Sequence, residues 1–223
     1  MKGARDRCGA HTPERTTTVR KLSANTFLSL DGVMQAPGSP TEDTEGGFSL
    51  GGWSMSYWDD VMGQAMGEAM SNPTAMVLGR RTYEIFASYW PHASEEEGAS
   101  MMNGTTKYVA SRTLSGPLEW ENSHLIEGDA VEGLAKLKAE DGPDLNITGS
   151  SRLIQSLLPA NLIDEFHIWI YPVVVGSGKR LFDSGAVPMG MKLVDSKVAT
   201  TGVILTTYVP DGEIGYKGGG SGA

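Results

Sequence analysis

DLNITGSSRLIQSLLP, Asp144 to Pro159, is read here as a strand, a glycine and a helix in immediate succession. Leu145, Asn146, Ile147 and Thr148 suit a short buried strand, Gly149 breaks it, and Leu153, Ile154, Leu157 and Leu158 return at helical spacing. A glycine at such a turn lets a ligand's oxygens approach the backbone. The following Ser150 and Ser151 are expected to cap the helix, whose unpaired N–H groups then face an anion. The same pattern occurs earlier: Met76-Val77-Leu78 reads as a buried strand, Gly79 ends it, and Arg80-Arg81-Thr82 opens a segment with Tyr83, Phe86 and Ala87 on one helical face. Two phosphate seats on one sheet predict a dinucleotide ligand.

The chain of 223 residues is 39% hydrophobic, enough for one full core. One domain is expected over residues 19–210, between a mobile basic, Thr-rich segment 1–18 and a glycine-rich tail 211–223. The formal charge of −9 argues against nucleic acid as a partner, so Arg80, Arg81 and Arg112 act locally rather than as a patch. The single cysteine, Cys8, excludes an internal disulfide and a cysteine-based metal cluster, and a reducing compartment follows. No apolar run is long enough to cross a bilayer and the first residues lack the apolar centre of a secretory signal, so no membrane partner and a cytoplasmic location are expected.

Outward from the central stretch, Leu22, Ala24, Thr26 and Leu28 alternate as in a half-buried strand that ends at Asp31-Gly32. The Gly- and Pro-rich run up to Trp53 is too irregular for a core element, and its Phe48 and Trp53 mark it as an active-site loop docked over a pocket. Val61, Met62, Ala65, Met66, Ala69 and Met70 predict an amphipathic helix capped by Ser56 and stopped at Asn72-Pro73, with the methionines read as core rather than as a cofactor stripe. Glu95 to Glu97 read as a solvated surface without metal-ligand spacing. Strands are expected at 107–110, 124–126, 165–171 and 203–209, and a helix around Val131 to Lys138. The alternation predicts an α/β sheet closed by an antiparallel hairpin near the carboxyl end.

With these segments in place, four passages carry a likeness: SLDG at Ser29 to Gly32, VLGRRTYE at Val77 to Glu84, ITGSSRLIQSLL at Ile147 to Leu158, and IDEFHIWIYPVVVGSGKRLF at Ile163 to Phe182. In this order they resemble the dihydrofolate reductase-like family and, within it, the reductase domain of the bacterial riboflavin-biosynthesis deaminase/reductase. The resemblance implies a three-layer α/β/α domain around a mixed sheet and NADPH as cofactor. It places Gly79, Arg80, Arg81 and Thr82 at one phosphate turn, with Arg80 near the adenosine 2′-phosphate. Ser111 and Arg112 would form the other half of that clamp, and Gly149, Ser150, Ser151, Arg152 and Leu153 the second turn. The chain departs from the family by carrying Ser150 where the second turn is usually Gly-Gly, and Thr148 where riboflavin-pathway reductases commonly carry an acid.

The function implied is an NADPH-dependent reductase that delivers hydride to a small heterocyclic or carbonyl/imine substrate, resembling 5-amino-6-(5-phosphoribosylamino)uracil reductase. The alternatives are dihydrofolate reductase-like activity and a non-catalytic NADP-binding dimeric module. Asp31, at a strand end, and Asp60, with its neighbour Asp59 on the first helix, are the candidate catalytic carboxylates; the competing readings are a plain Asp-Gly turn and first-turn acids that favour the helix dipole. His167 reads as a structural histidine. A homodimer is expected from the family and from the apolar run of Phe166, Ile168, Ile170 and Val173 to Val175.

Overall fold

Alternating burial along LSANTFLS makes β1, Leu22–Ser29, the strand on which both halves of the sheet meet. The structure is a computed structural model describing residues 19–184 and 186–215; the segment 1–18 with Cys8, and the tail from residue 216, lie outside the described residues. After β1 come α1 (Asp60–Ser71), β2 (Thr74–Gly79), α2 (Arg80–Tyr89), α3 (Ala99–Gly104), β3 (Lys107–Ala110) and β4 (Ser123–Ile126). These are followed by α4 (Ala130–Ala139), β5 (Asp144–Thr148), α5 (Ser151–Leu157), β6 (Glu165–Tyr171), β7 (Met191–Val198) and β8 (Ile204–Pro210).

The eight strands form one mixed sheet in the order β4-β3-β2-β5-β1-β6-β8-β7. Strands β4 to β6 run parallel, while β8 is antiparallel to both β6 and β7. On one face Leu22, Ala24, Ile147, Phe166 and Ile168 pack with Leu134 of α4 and Leu153, Ile154 and Leu157 of α5. On the other, Met76, Leu78 and Val109 pack with Tyr83 of α2 and with Trp120, while Tyr171 and Leu205 pack with Met62 of α1. Each fully buried Leu, Ile or Phe contributes about 1.5–3 kcal/mol, so these two faces hold the three layers together.

Several expectations change. Helix α1 starts at Asp60 with Asp59, not Ser56, as its cap: the Asp59 carboxylate accepts from Met62 N–H at 3.0 Å. Its methionine stripe is divided, since Met62 is core while Met66 and Met70 line a cleft. Strand β7, MKLVDSKV, lacks clean alternation because it is an exposed sheet edge with a bulge between Leu193 and Asp195, and sequence pattern alone passed over it. The short α3 was passed over too. The argument for surplus apolar surface on β6 does not hold, because Phe166 and Ile168 are buried under the helix layer. Exposed apolar side chains lie instead at Leu193, Val194 and Val198 of the β7 edge and at Val174.

Candidate active site

Strand order creates the site. From β2 the chain passes through α2 to β3 on one side, whereas from β5 it passes through α5 to β6 on the other, beyond β1. The helices lie on opposite faces, because Tyr83 of α2 packs on Leu78 while Leu153 of α5 packs with Ile147. The carboxyl ends of the adjacent strands β2 and β5 therefore form a topological switch point, where open α/β sheets part to admit a ligand.

Both expected glycine turns stand there. Gly149 (φ +58°) and Ser150 (φ +60°) are consecutive left-handed residues, a conformation that a β-branched side chain would strain. Ser150 does not cap α5. Its Oγ instead accepts from Gly79 N–H at 2.9 Å, and lies 2.9 Å from Thr82 Oγ1 and 3.1 Å from the Thr148 carbonyl oxygen. The serine that departs from the family pattern bolts one turn to the other. Gly79 permits that approach, since a Cβ there would lie 3.3 Å from Ser150 Oγ. Neither α2 nor α5 has a side-chain cap, so no N-cap side chain accepts from their first-turn N–H groups.

Around these turns the cations gather. Gly79 pairs with Ala110 across β2 and β3, so Arg80 and the Ser111-Arg112 pair leave the sheet side by side. Arg112 is exposed and has no ion-pair partner among the described residues, while Arg80 lies 3.6 Å from Glu84. Ser111 Oγ accepts from Thr113 and Leu114 N–H, which shapes the turn that presents Arg112. Arg81 and Arg152 reach across to the 31–53 loop, with Arg81 Nε 3.5 Å from Asp43 and Arg152 Nη2 3.6 Å from Glu45. Lys179 joins the same loop acids, 2.5 Å from Asp43 and 2.6 Å from Glu45. Burial is the largest single influence on Asp43 and works against its charge, but the Lys179 hydrogen bond, the Glu45 N–H and the charges of Lys179 and Arg81 together hold the carboxyl below its ordinary value.

The loop closes one wall of the cleft: Trp53 Nε1 donates to the Gln35 carbonyl at 2.9 Å, and Phe48 is buried beside Val33 and Ala36. The whole cleft measures about 2240 Å³ and is lined by both turns, Ser111, Arg112, the loop and part of α1. Pockets for drug-sized ligands measure roughly 300–1,000 Å³, so the cleft is larger than one such ligand needs.

The two candidate carboxylates are not brought to this lining. Asp31 accepts from Ser29 Oγ at 2.7 Å, Val175 N–H at 3.0 Å and Gly176 N–H at 2.8 Å, and pairs with Arg180 at 3.3 Å. The Ser29 hydrogen bond first, then the backbone donors, hold its carboxyl far below the usual range. Asp60 stands exposed on the first turn of α1, and Asp59 accepts from Thr200 N–H and Oγ1, both at 2.6 Å. His167 lies within the sheet, Nδ1 3.2 Å from Thr207 Oγ1 and Nε2 3.3 Å from Glu165, and burial lowers its pKa.

With this geometry in hand, the family model of the RibD C-terminal domain matches residues 20–205. The chain belongs to the RibD C-terminal domain family. Two Bacillus subtilis (strain 168) relatives of this RibD C-terminal domain are named uncharacterized protein YyaP and uncharacterized protein YwjB. YyaP is 30% identical over 138 residues, 60% of this chain and 72% of its own length. YwjB is 31% identical over 112 residues, 48% of this chain and 57% of its own. Among solved structures, a putative riboflavin biosynthesis protein from Shewanella sp. PV-4 superposes with a TM-score of 0.64 at 23% identity, covering 86% of this chain and 99% of that one. Dihydrofolate reductase from Enterococcus faecalis, complexed with NADP(H) and RAB-propyl, superposes with a TM-score of 0.55 at 15% identity, covering 86% and 96%. A pyrimidine reductase-like protein from Corynebacterium diphtheriae gives 0.54 at 12% identity over 87% and 93%. The fold is the dihydrofolate reductase-like α/β/α sandwich, with its antiparallel strands at the carboxyl end.

Asp43, Glu45 and Lys179 were not singled out from sequence. Asp43 and Glu45 sit in a loop without periodicity, and Lys179 follows a glycine turn that reads equally well as a plain connection. Only the fold sets them against Arg81 and Arg152.

Proposed function

We propose that this RibD C-terminal domain is an NADPH-dependent oxidoreductase that reduces a small heterocyclic or carbonyl/imine substrate. The observation that carries the reading is the pair of uncapped helix starts at the switch point, bolted by Ser150 and flanked by Arg80 and Arg112. The pyrophosphate of the cofactor lies on the N–H groups after Gly79 and Gly149, with Thr82, Ser151 and Leu153 completing the two turns. Arg80 and Arg112 hold the 2′-phosphate, with Ser111 fixing the turn that carries Arg112, and charge-assisted bonds of this kind select NADPH over NADH.

When bound, the nicotinamide supplies the hydride. The chain's own part is to orient the substrate beside it and exclude water, through the 31–53 loop that Lys179, Arg81 and Arg152 hold in place. Asp31 serves this arrangement by tying the end of β1 to the 172–182 segment. The protein pairs as a homodimer, for which the exposed Leu193, Val194 and Val198 at the β7 edge supply apolar surface. Calorimetry with NADPH and NADH tests the cofactor reading: a clear preference for NADPH is expected, and equal affinities would overturn it. Transfer of deuterium from labelled NADPH to a substrate found by screening tests turnover.

A further inference from the structure

Ser150 is held at φ +60° and ψ +55°, a left-handed conformation that is strained for a residue with a side chain. Glycine would hold the same backbone without strain, so what the serine adds is its hydroxyl. That Oγ lies 2.9 Å from Gly79 N, 2.9 Å from Thr82 Oγ1 and 3.1 Å from the Thr148 carbonyl oxygen. Thr82 stands opposite on the first turn of α2, where a Cβ added to Gly149 would lie 3.7 Å from both its Oγ1 and its Cγ2. Gly79, Thr82, Thr148, Gly149 and Ser150 all line the cleft.

A serine hydroxyl has one hydrogen to give and two lone pairs to accept with, and the hydrogen turns to suit its partners. The Gly79 N–H fills one lone pair of Ser150, which leaves the hydrogen a choice between two acceptors. If it goes to the Thr148 carbonyl, Thr82 must donate to Ser150, and only Thr82 lone pairs remain for the cleft. If it goes to Thr82 Oγ1, the Thr82 hydrogen is released to the cleft. The carbonyl can only accept and the N–H can only donate, so these are the two arrangements in which Ser150 and Thr82 stay bonded. An anion selects the second. It accepts from Thr82, and the run from Ser150 to Thr82 to the anion then passes from donor to acceptor at every step, ending on the charged acceptor that makes the stronger bond.

We propose that Ser150 is a positioning residue for an anionic ligand: it turns the Thr82 hydroxyl into a donor aimed at the cleft, so that a phosphate group beside the Gly79 turn is held by a neutral side chain. The inference rests on the reductase reading for calling that ligand the pyrophosphate of NADPH. Ser150 acts through Thr82 and does not itself touch the ligand. Its removal therefore matters only while the Thr82 hydroxyl is present. A purely mechanical bolt predicts otherwise, because loss of Ser150 would then loosen the turns whatever stands at position 82, and it would also free the Gly79 N–H for the ligand.

The test titrates inorganic pyrophosphate, NADPH and adenosine 2′-monophosphate into the whole chain by calorimetry. The variants are Ser150→Gly, Thr82→Val, Thr82→Ser and the double variant Ser150→Gly/Thr82→Val, with Ser150→Ala as a second removal of the hydroxyl should Ser150→Gly not fold. Thr82→Val is expected to weaken pyrophosphate and NADPH on the order of tenfold, and Ser150→Gly roughly fivefold. In the Thr82→Val background Ser150→Gly should cost nothing further, Thr82→Ser should bind as wild type, and adenosine 2′-monophosphate should be unaffected throughout. Any one of four results would overturn the inference: no pyrophosphate binding by wild type, unchanged or tighter pyrophosphate binding by Ser150→Gly, an undiminished effect of Ser150→Gly in the Thr82→Val background, or an equal loss for adenosine 2′-monophosphate. If the coupling appears with pyrophosphate while NADPH does not bind, the cofactor reading falls and the hydroxyl pair stands. If NADPH binds and the coupling is absent, only the hydroxyl pair falls.

Discussion

Helices α1 and α4 begin differently from α2 and α5. Asp59 caps α1, and Asp129 caps α4 by accepting from Val131 N–H at 2.9 Å and Glu132 N–H at 3.2 Å. Gly79 and Ser150 stand at the corresponding positions of α2 and α5 and give no side-chain cap. An uncapped helix start leaves donors unsatisfied; the short α3, begun at Gly98, lacks a side-chain cap as well, but α2 and α5 are the two that open at the switch point of the sheet. The difference lies at the helix starts: side chains close those of α1 and α4, whereas the starts of α2 and α5 at the switch point carry none.

The largest expected effect comes from closing one open turn. Gly149→Val forces a β-branched residue to φ +58°, which costs about 1–3 kcal/mol of stability. The displaced backbone should also abolish measurable NADPH binding, read by denaturant unfolding and calorimetry. A variant that folds and binds as wild type would end the role given to that turn.

Next in size is Arg112→Ala, which should weaken NADPH by about 1.5–3 kcal/mol through loss of a charged hydrogen bond and leave NADH unchanged. An equal loss for both cofactors would mean that Arg112 shapes the cleft rather than reading the 2′-phosphate.

Asp31→Asn sharpens the contrast between groups committed to the fold and groups open to ligand. The Asp31 carboxyl is held below its unfolded value, so its contribution is fully present above the unfolded-state pKa of about 4 and is lost as pH falls through the lower folded value. The variant should therefore be less stable at neutral pH by about 1–2 kcal/mol, as for a bond to a charged group only partly replaced by the amide, and the gap should narrow in acid. Unchanged stability with lost turnover would move Asp31 into the chemistry.

The smallest effect is the control. Asp129→Ala opens the start of α4 and should cost about 1 kcal/mol of stability with no change in NADPH affinity.

Much of this was legible in the chain. The strand-glycine-helix pattern of residues 144–159 is local, and local spacing is enough to place β5, Gly149 and α5. The Gly79 turn was readable for the same reason, whereas the roles given to Arg80 and Arg112 come from the resemblance to a family and stand as proposals. The Ser150 side chain was misread as a cap, because capping is a local preference and its actual partner, Gly79 N–H, lies 71 residues away. Strand β7 was missed because an edge strand exposed on both faces need not alternate.

Sequence by itself determined most of the elements, the two glycine turns, the net charge of −9 and the family. Tertiary structure alone decided that β2 and β5 lie side by side with their helices on opposite faces. It also decided that Asp43 and Glu45 stand against Arg81, Arg152 and Lys179, and that Asp31 is spent on the 172–182 segment. The reason is range: periodicity and capping act over a few residues along the chain, whereas strand order and charge pairing are set by contacts between segments far apart in it, 71 residues for Gly79 and Ser150 and 144 for Asp31 and Val175.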